Sequence, residues 1–207
     1  MELFPFQEQA AAQIATRFAN YSGDPLMVDR TTVLPFLQTL VSITGSGKTL
    51  MLADTVAQIQ ASLPLQPVVL WLSKGTVVVW QTYANLSSGK YADNLSGFSV
   101  KPLLELAPTD IEDPSTPLVL VATVAKFARR SEEEGDRRIF RVQLDLASES
   151  LWTLLKRRRL ARGERRPLIV IYDEGHNLSD LSNCEALGAS ARCPDRRERH
   201  NEHSGNA

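Results

Sequence analysis

The chain has 207 residues, 43% of them hydrophobic, enough for one domain with a real core and too few for two. Its 23 Lys and Arg against 24 Asp and Glu leave a net charge of −1, which neither requires nor excludes a nucleic-acid partner, because a local patch binds whatever the sum. The opening MELFPFQEQAA is no signal peptide, the longest apolar runs (PLVLVA, PLIVIY) are far too short to cross a bilayer, and two cysteines make no disulfide framework, so a soluble cytoplasmic protein is expected.

In chain order, Phe6, Ala10, Ile14 and Phe18 fall four apart, which predicts a helix stopped by Gly23-Asp24-Pro25. The run VLPFLQTLVSI at 33–43 is apolar enough for a buried strand that ends at a glycine-rich turn. After the turn, Leu50, Ala53, Val56, Ala57 and Leu63 recur at helical spacing up to Pro64. PVVLWLS is a second strand. GTVVVWQTYANL is ambiguous: its valines favour a strand, its length and position a crossover helix. FSVKPLLEL reads as a weak strand and TPLVLVAT as a strong one, followed by a short helix VAKFAR. Residues 131–145 are charged and loop-like. SESLWTLLKRRRLA is a helix with Ser148 as its N-cap, and RPLIVIYDE is the last clear strand.

Strands alternate with helices, and the strands are unbroken apolar runs. Both facts predict an α/β fold with a parallel sheet covered by helices on both faces. From Asn183 onward the composition changes: residues 183–207 hold one large aliphatic residue, Leu187, and no aromatic. Such a stretch buries too little to offset its ordering entropy, so 183–207 is expected to be a disordered or frameshifted tail. Cys184, Cys193, His200 and His203 lie in it, but a C-x₈-C spacing fits no common zinc finger.

The turn itself reads SITGSGKT, residues 42–49. A strand, a glycine turn and a Lys-Thr pair opening a helix make a phosphate-binding arrangement. Thr44, Gly45, Ser46 and Gly47 would turn backbone N–H groups inward at phosphates, and the positive helix end adds to the field. Lys48 would reach the terminal phosphates and Thr49 would ligate Mg²⁺. The pattern G-x-x-x-x-G-K-[ST] asks for glycine where this chain has Ser42. Asp173 and Glu174 follow the last strand, at the end of a parallel sheet where ligands bind. Asp173 could hold Mg²⁺ through a water and Glu174 could polarise the attacking water. A basic run, KRRRLARGERR at 156–166, carries seven cations against one Glu; a solvated helix end is the expected reading, a nucleic-acid patch the alternative.

TGSGKT followed by DEGH resembles the DExH branch of superfamily 2 helicases and translocases, and more narrowly the helicase subunit of type III restriction enzymes. PFQEQAA, LWLSKGTVVVWQTYANL and VATVAKF resemble further segments of that family, in the expected order, over residues 1 to about 182. The resemblance implies an N-terminal RecA-like P-loop domain over 1–182 that uses ATP and Mg²⁺. It implies that Gln7 contacts adenine, that Lys48 and Glu174 are catalytic, and that His176 couples hydrolysis to a partner domain. It further implies that Ser73, Lys74 and Thr123 touch a DNA strand. The family's Ser-Ala-Thr strand, second RecA-like domain, arginine fingers and nuclease domain are missing. The expectation is therefore a RecA-like sheet incomplete at its C-terminal end, in a truncated half-motor that neither unwinds nor cuts DNA alone. The alternative is a non-catalytic ATP-binding remnant, or a subunit completed by a chain that supplies the second motor domain. A modification methyltransferase is a further expected partner. A small-molecule P-loop kinase is a rival that Gln7 and the DEGH box argue against.

Overall fold

The computed structural model describes residues 2–30, 32–127, 137–143 and 149–173. The chain begins with helices α1 (Pro5–Gly23) and α2 (Lys48–Ser62), then β1 (Val68–Ser73), α3 (Thr76–Ser87), β2 (Ser99–Pro102) and α4 (Pro108–Glu112). It continues through β3 (Leu118–Thr123), β4 (Val142–Gln143), β5 (Glu149–Ser150), α5 (Leu151–Arg157) and β6 (Leu168–Tyr172).

Pro67, Pro117 and Pro167 stand directly before β1, β3 and β6. Proline has no N–H to give a ladder and holds the residue before it extended, so it suits a strand entry. The carbonyls of these prolines are used in sequence: Val68 N donates to Pro167 O, Leu118 N to Pro67 O and Ser99 N to Pro117 O. This sets one register, with Val68 opposite both Leu118 and Leu168, in a parallel sheet of order β2-β3-β1-β6.

Alternate residues of the apolar runs serve opposite faces. Leu70, Leu72, Leu118 and Leu120 pack with Ile111, Phe127, Leu151 and Leu154 on the side of α4 and α5. Val69, Trp71, Val119 and Val121 pack with Leu50, Ala53, Val56 and Val79 on the side of α2 and α3. Each fully buried aliphatic side chain contributes about 1.5–3 kcal/mol. The expected two-faced parallel sheet is therefore what forms. The ambiguous stretch after β1 is helix α3, because two parallel strands need a crossover that can span the sheet. Its buried Val79, Thr82 and Leu86 make one helical face.

Four details depart from the sequence reading. The segment 33–43 is not a buried strand: it makes one isolated antiparallel bridge, Val33 with Met27, with Leu34 N donating to Leu26 O, and Leu37, Val41 and Ile43 stand in solvent. Aromatic packing holds it against α1 instead, with Phe36 against Phe18 and Tyr21, and the Tyr21 hydroxyl donating to Leu34 O. Helix α1 buries Gln7 and Ala11 rather than Phe6, which is exposed. VAKF is a single 3₁₀ turn. The N-cap of α5 is Ser150, whose Oγ accepts from Thr153 N at 3.1 Å; Ser148 lies outside the described residues. The cap sits there because Glu149 and Ser150 pair with Gln143 and Val142 as a short antiparallel ribbon, which delays the helix start. The tail at 183–207 also lies outside the described residues.

Arg166, which the sequence placed in a solvated run, is 1% exposed. Its Nε donates to Gln66 O (2.9 Å), and Nη2 to Pro67 O (3.1 Å) and Thr116 O (2.6 Å). Its Nη1 reaches Asp110 O (2.8 Å), Ile111 O (3.3 Å) and Asp113 O (3.1 Å). Burial pushes its pKa down, and the charges of Asp113 and Asp110 push the other way. Replacing Arg166 by Met keeps bulk but strands these carbonyls away from water. Arg166→Met is expected to cost at least about 1–3 kcal/mol, the penalty for leaving a buried acceptor without its partner. Arg166→Lys should recover little, because one ammonium cannot span a planar fork's targets. Urea denaturation of the two variants checks both statements, and a wild-type midpoint for Arg166→Met would remove the clamp's importance.

Candidate functional site

The glycine turn needs backbone that side chains resist. Gly45 and Gly47 have φ of 83° and 81°, in the left-handed region. Gly47 caps α2, so Lys48, Thr49 and Leu50 form its first turn, whose N–H groups lack an acceptor within the helix. Helix α2 is anchored by Leu50, Ala53 and Val56 in the sheet's core, so the turn stands on a fixed base. The first-turn N–H groups at this positive helix end suit a chain of phosphates.

Lys48 Nζ is folded back onto the loop, donating to Ser42 O and Ile43 O, each at 3.1 Å. Among the described residues no carboxylate pairs with it. Ser42, the departure from the glycine pattern, has a use the sequence did not disclose: its Oγ donates to Ser46 Oγ at 2.5 Å and closes the turn. The only sequence sign was the departure itself. Thr44 and Gly45 are exposed at the loop's tip.

Gln7 lies against this loop and is almost fully buried. Its Nε2 donates to Ser46 O at 2.7 Å, and its Oε1 accepts from Phe4 N at 2.8 Å. Both ends of the amide are thus engaged by the chain. A Cβ added at Gly47 would sit 2.5 Å from Gln7 Nε2, so glycine here answers both the backbone angle and the glutamine.

At the carboxyl end of the sheet, Ser73 and Thr123 are register partners. Ser73 is 0% exposed and its Oγ has no hydrogen-bond partner among the described residues; Thr123 is also buried, and Lys74 is exposed. Asp173 continues β6 beside β1, its N–H donating to Leu72 O at 2.9 Å. The structure thus brings Ser73, Thr123 and Asp173 to one rim, and Gln7 to the loop of residues 42–49. Glu174 and His176 lie outside the described residues.

Gly47→Ala should destabilise the protein by about 1–2 kcal/mol from the left-handed backbone, plus the cost of displacing Gln7. In a Gln7→Ala background the second part vanishes. A thermal-denaturation double-mutant cycle measures the difference; equal costs in both backgrounds would mean that Gln7 does not crowd this position.

Residues 1–193 match the family model described as "Type III restriction enzyme, res subunit". Neither a curated protein nor a solved structure matches the chain. A match of that extent, on a parallel α/β sheet whose glycine turn opens a buried helix, places the chain in the type III restriction enzyme res subunit family, with the RecA-like P-loop fold and a helicase-like ATP-binding domain.

Proposed function

We propose that this chain binds ATP with Mg²⁺ and acts as the first half of a DNA-translocating motor that neither unwinds nor cuts DNA alone. The observation that carries the reading is the left-handed glycine turn opening α2, with an ammonium that, among the described residues, faces neutral carbonyls only. Lys48 exchanges two carbonyls for phosphate oxygens when nucleotide enters, a trade toward charge-assisted bonds. The Thr49 hydroxyl and the Asp173 carboxylate are hard oxygen donors of the kind Mg²⁺ takes. The bound ion would neutralise charge on the phosphates. Gln7 reads adenine by giving up Ser46 O or Phe4 N, so base recognition is tied to loop shape. Glu174 polarises the attacking water and His176 passes the event onward. Lys74, beside Ser73 and Thr123, supplies charge toward a DNA strand.

Titration with a fluorescent ATP analogue tests the reading. Wild type should bind, and Lys48→Ala should lose about ten- to a hundredfold in affinity, the scale of hydrogen bonds to a charged group. Glu174→Gln should bind normally and abolish a slow turnover that DNA stimulates weakly. Failure of wild type to bind nucleotide overturns the reading. Binding with no turnover leaves the non-catalytic remnant, and strand separation by the chain alone contradicts the half-motor.

A further inference from the structure

Of the basic run at 156–166, Lys156 and Arg157 form the exposed last turn of α5, the solvated helix end expected, but the rest is not helix. Helix α5 ends at Arg157 and is capped by Arg158, which takes a left-handed φ of 30°. The chain then forms a tight turn closed by an antiparallel bridge between Arg159 and Arg165, with Gly163 at φ 92° and Leu160 buried as its anchor. Arginine-to-carbonyl bonds fix it: Arg158 Nε to Arg166 O (2.7 Å), Arg159 Nη1 to Gly163 O (3.1 Å) and Arg165 Nη2 to Lys156 O (2.9 Å). Among the described residues, Arg159 and Arg165 each use one N–H, on the turn itself, which leaves the rest of a guanidinium's five donors for another acceptor.

We propose that this turn is a second polyanion-binding surface, built to contact the phosphodiester backbone of duplex DNA without reading its sequence. Lys156, Arg157, Arg159, Arg162 and Arg165 are all exposed. Among the described residues near them in sequence, Glu164 and Glu149 are the acids, and Glu149 is already paired with Arg157 at 2.6 Å. The cations are crowded as well as numerous. Burial, and then the charge of Arg165, holds the Arg158 guanidinium down to about 10. An anion lying across the turn relieves that repulsion. Because the guanidiniums are already positioned, it also binds at reduced entropic cost. Planar forks match phosphate oxygens, and Ala161 is the one exposed apolar residue on the turn, which gives a peptide little to grip.

The place is distinct from the nucleotide loop and from the rim bearing Lys74 and Asp173. The turn feeds the amino end of β6, and Asp173 follows its carboxyl end, five residues and about 16 Å away. The choice of DNA as the polyanion rests on the proposed motor function; the surface itself does not.

The test is fluorescence anisotropy of a labelled random-sequence duplex against salt, with the full chain, beside the ATP-analogue titration. The comparison is wild type against Arg159→Gln/Arg162→Gln, and Arg162→Gln alone as a variant that removes no turn bond. Expected is weaker duplex binding at every sequence, with a log–log salt slope shallower by about 1.8 in the double variant and about 0.9 in the single one, while analogue affinity is unchanged. Unchanged slopes, no duplex binding by wild type, or displacement of duplex by poly-glutamate as readily as by unlabelled duplex would each overturn the proposal. Loss of duplex binding in the variants of a chain that binds no nucleotide would support the turn and sink the motor reading.

Discussion

The sheet depends on one buried cation whose hydrogen bonds, among the described residues, all go to backbone carbonyls. Arg166 collects carbonyls from the entries of β1 and β3 and from the end of α4, places where the chain has just turned and cannot satisfy itself. The next residue in the chain directs two of these carbonyls inward: Gln66 and Thr116 precede prolines, which hold them extended. Proline thus sets the direction of the acceptors and arginine satisfies them. A carbonyl cage suits a guanidinium better than an acid would, since several partial charges share one diffuse cation and no second ion has to be desolvated. The strands then start level, and the chemistry at their far ends inherits that alignment.

What the sequence disclosed divides along the same line. The buried strands β1 and β3 and the half-buried β6 were legible because unbroken apolar runs have few other destinations, and α2 because Pro64 ends its helical spacing. The glycine turn was legible from residue type alone. Residues 33–43 were not, because apolar character states that a segment is buried or packed but not against what; here the aromatic rings of α1 hold it. Beside it β6 keeps one free edge among the described residues, and Val170 remains 38% exposed. The basic run misled for a related reason. Composition treats Arg166 and Arg162 alike, and only the position of Pro167 beside one of them hinted at which would be carried inside.

The loop is held closed by its own side chains. Ser42 holds Ser46, Gln7 holds the carbonyl of Ser46, and Lys48 holds the carbonyls of Ser42 and Ile43. The groups that would meet a nucleotide are the ones that keep the loop shaped without it. Binding in such a site is an exchange of partners rather than the filling of a rigid mould, and its affinity is the difference between two sets of hydrogen bonds.

The arginine cage also sets an order in time. Gln66 and Arg166 are 100 residues apart, and Thr116 and Arg166 are 50 apart. A chain made from its amino end has β1, β2, β3 and both covering helices of one face before the residue that unites their entries exists. Until then, the carbonyls that will line the cage have to stay hydrated, and the three early strands are aligned by their own ladder bonds alone, Leu118 N to Pro67 O and Ser99 N to Pro117 O. Closing so long a loop is slow and comes late. During synthesis, the apolar strands are therefore exposed to other chains for the interval between the making of Thr123 and the arrival of Arg166.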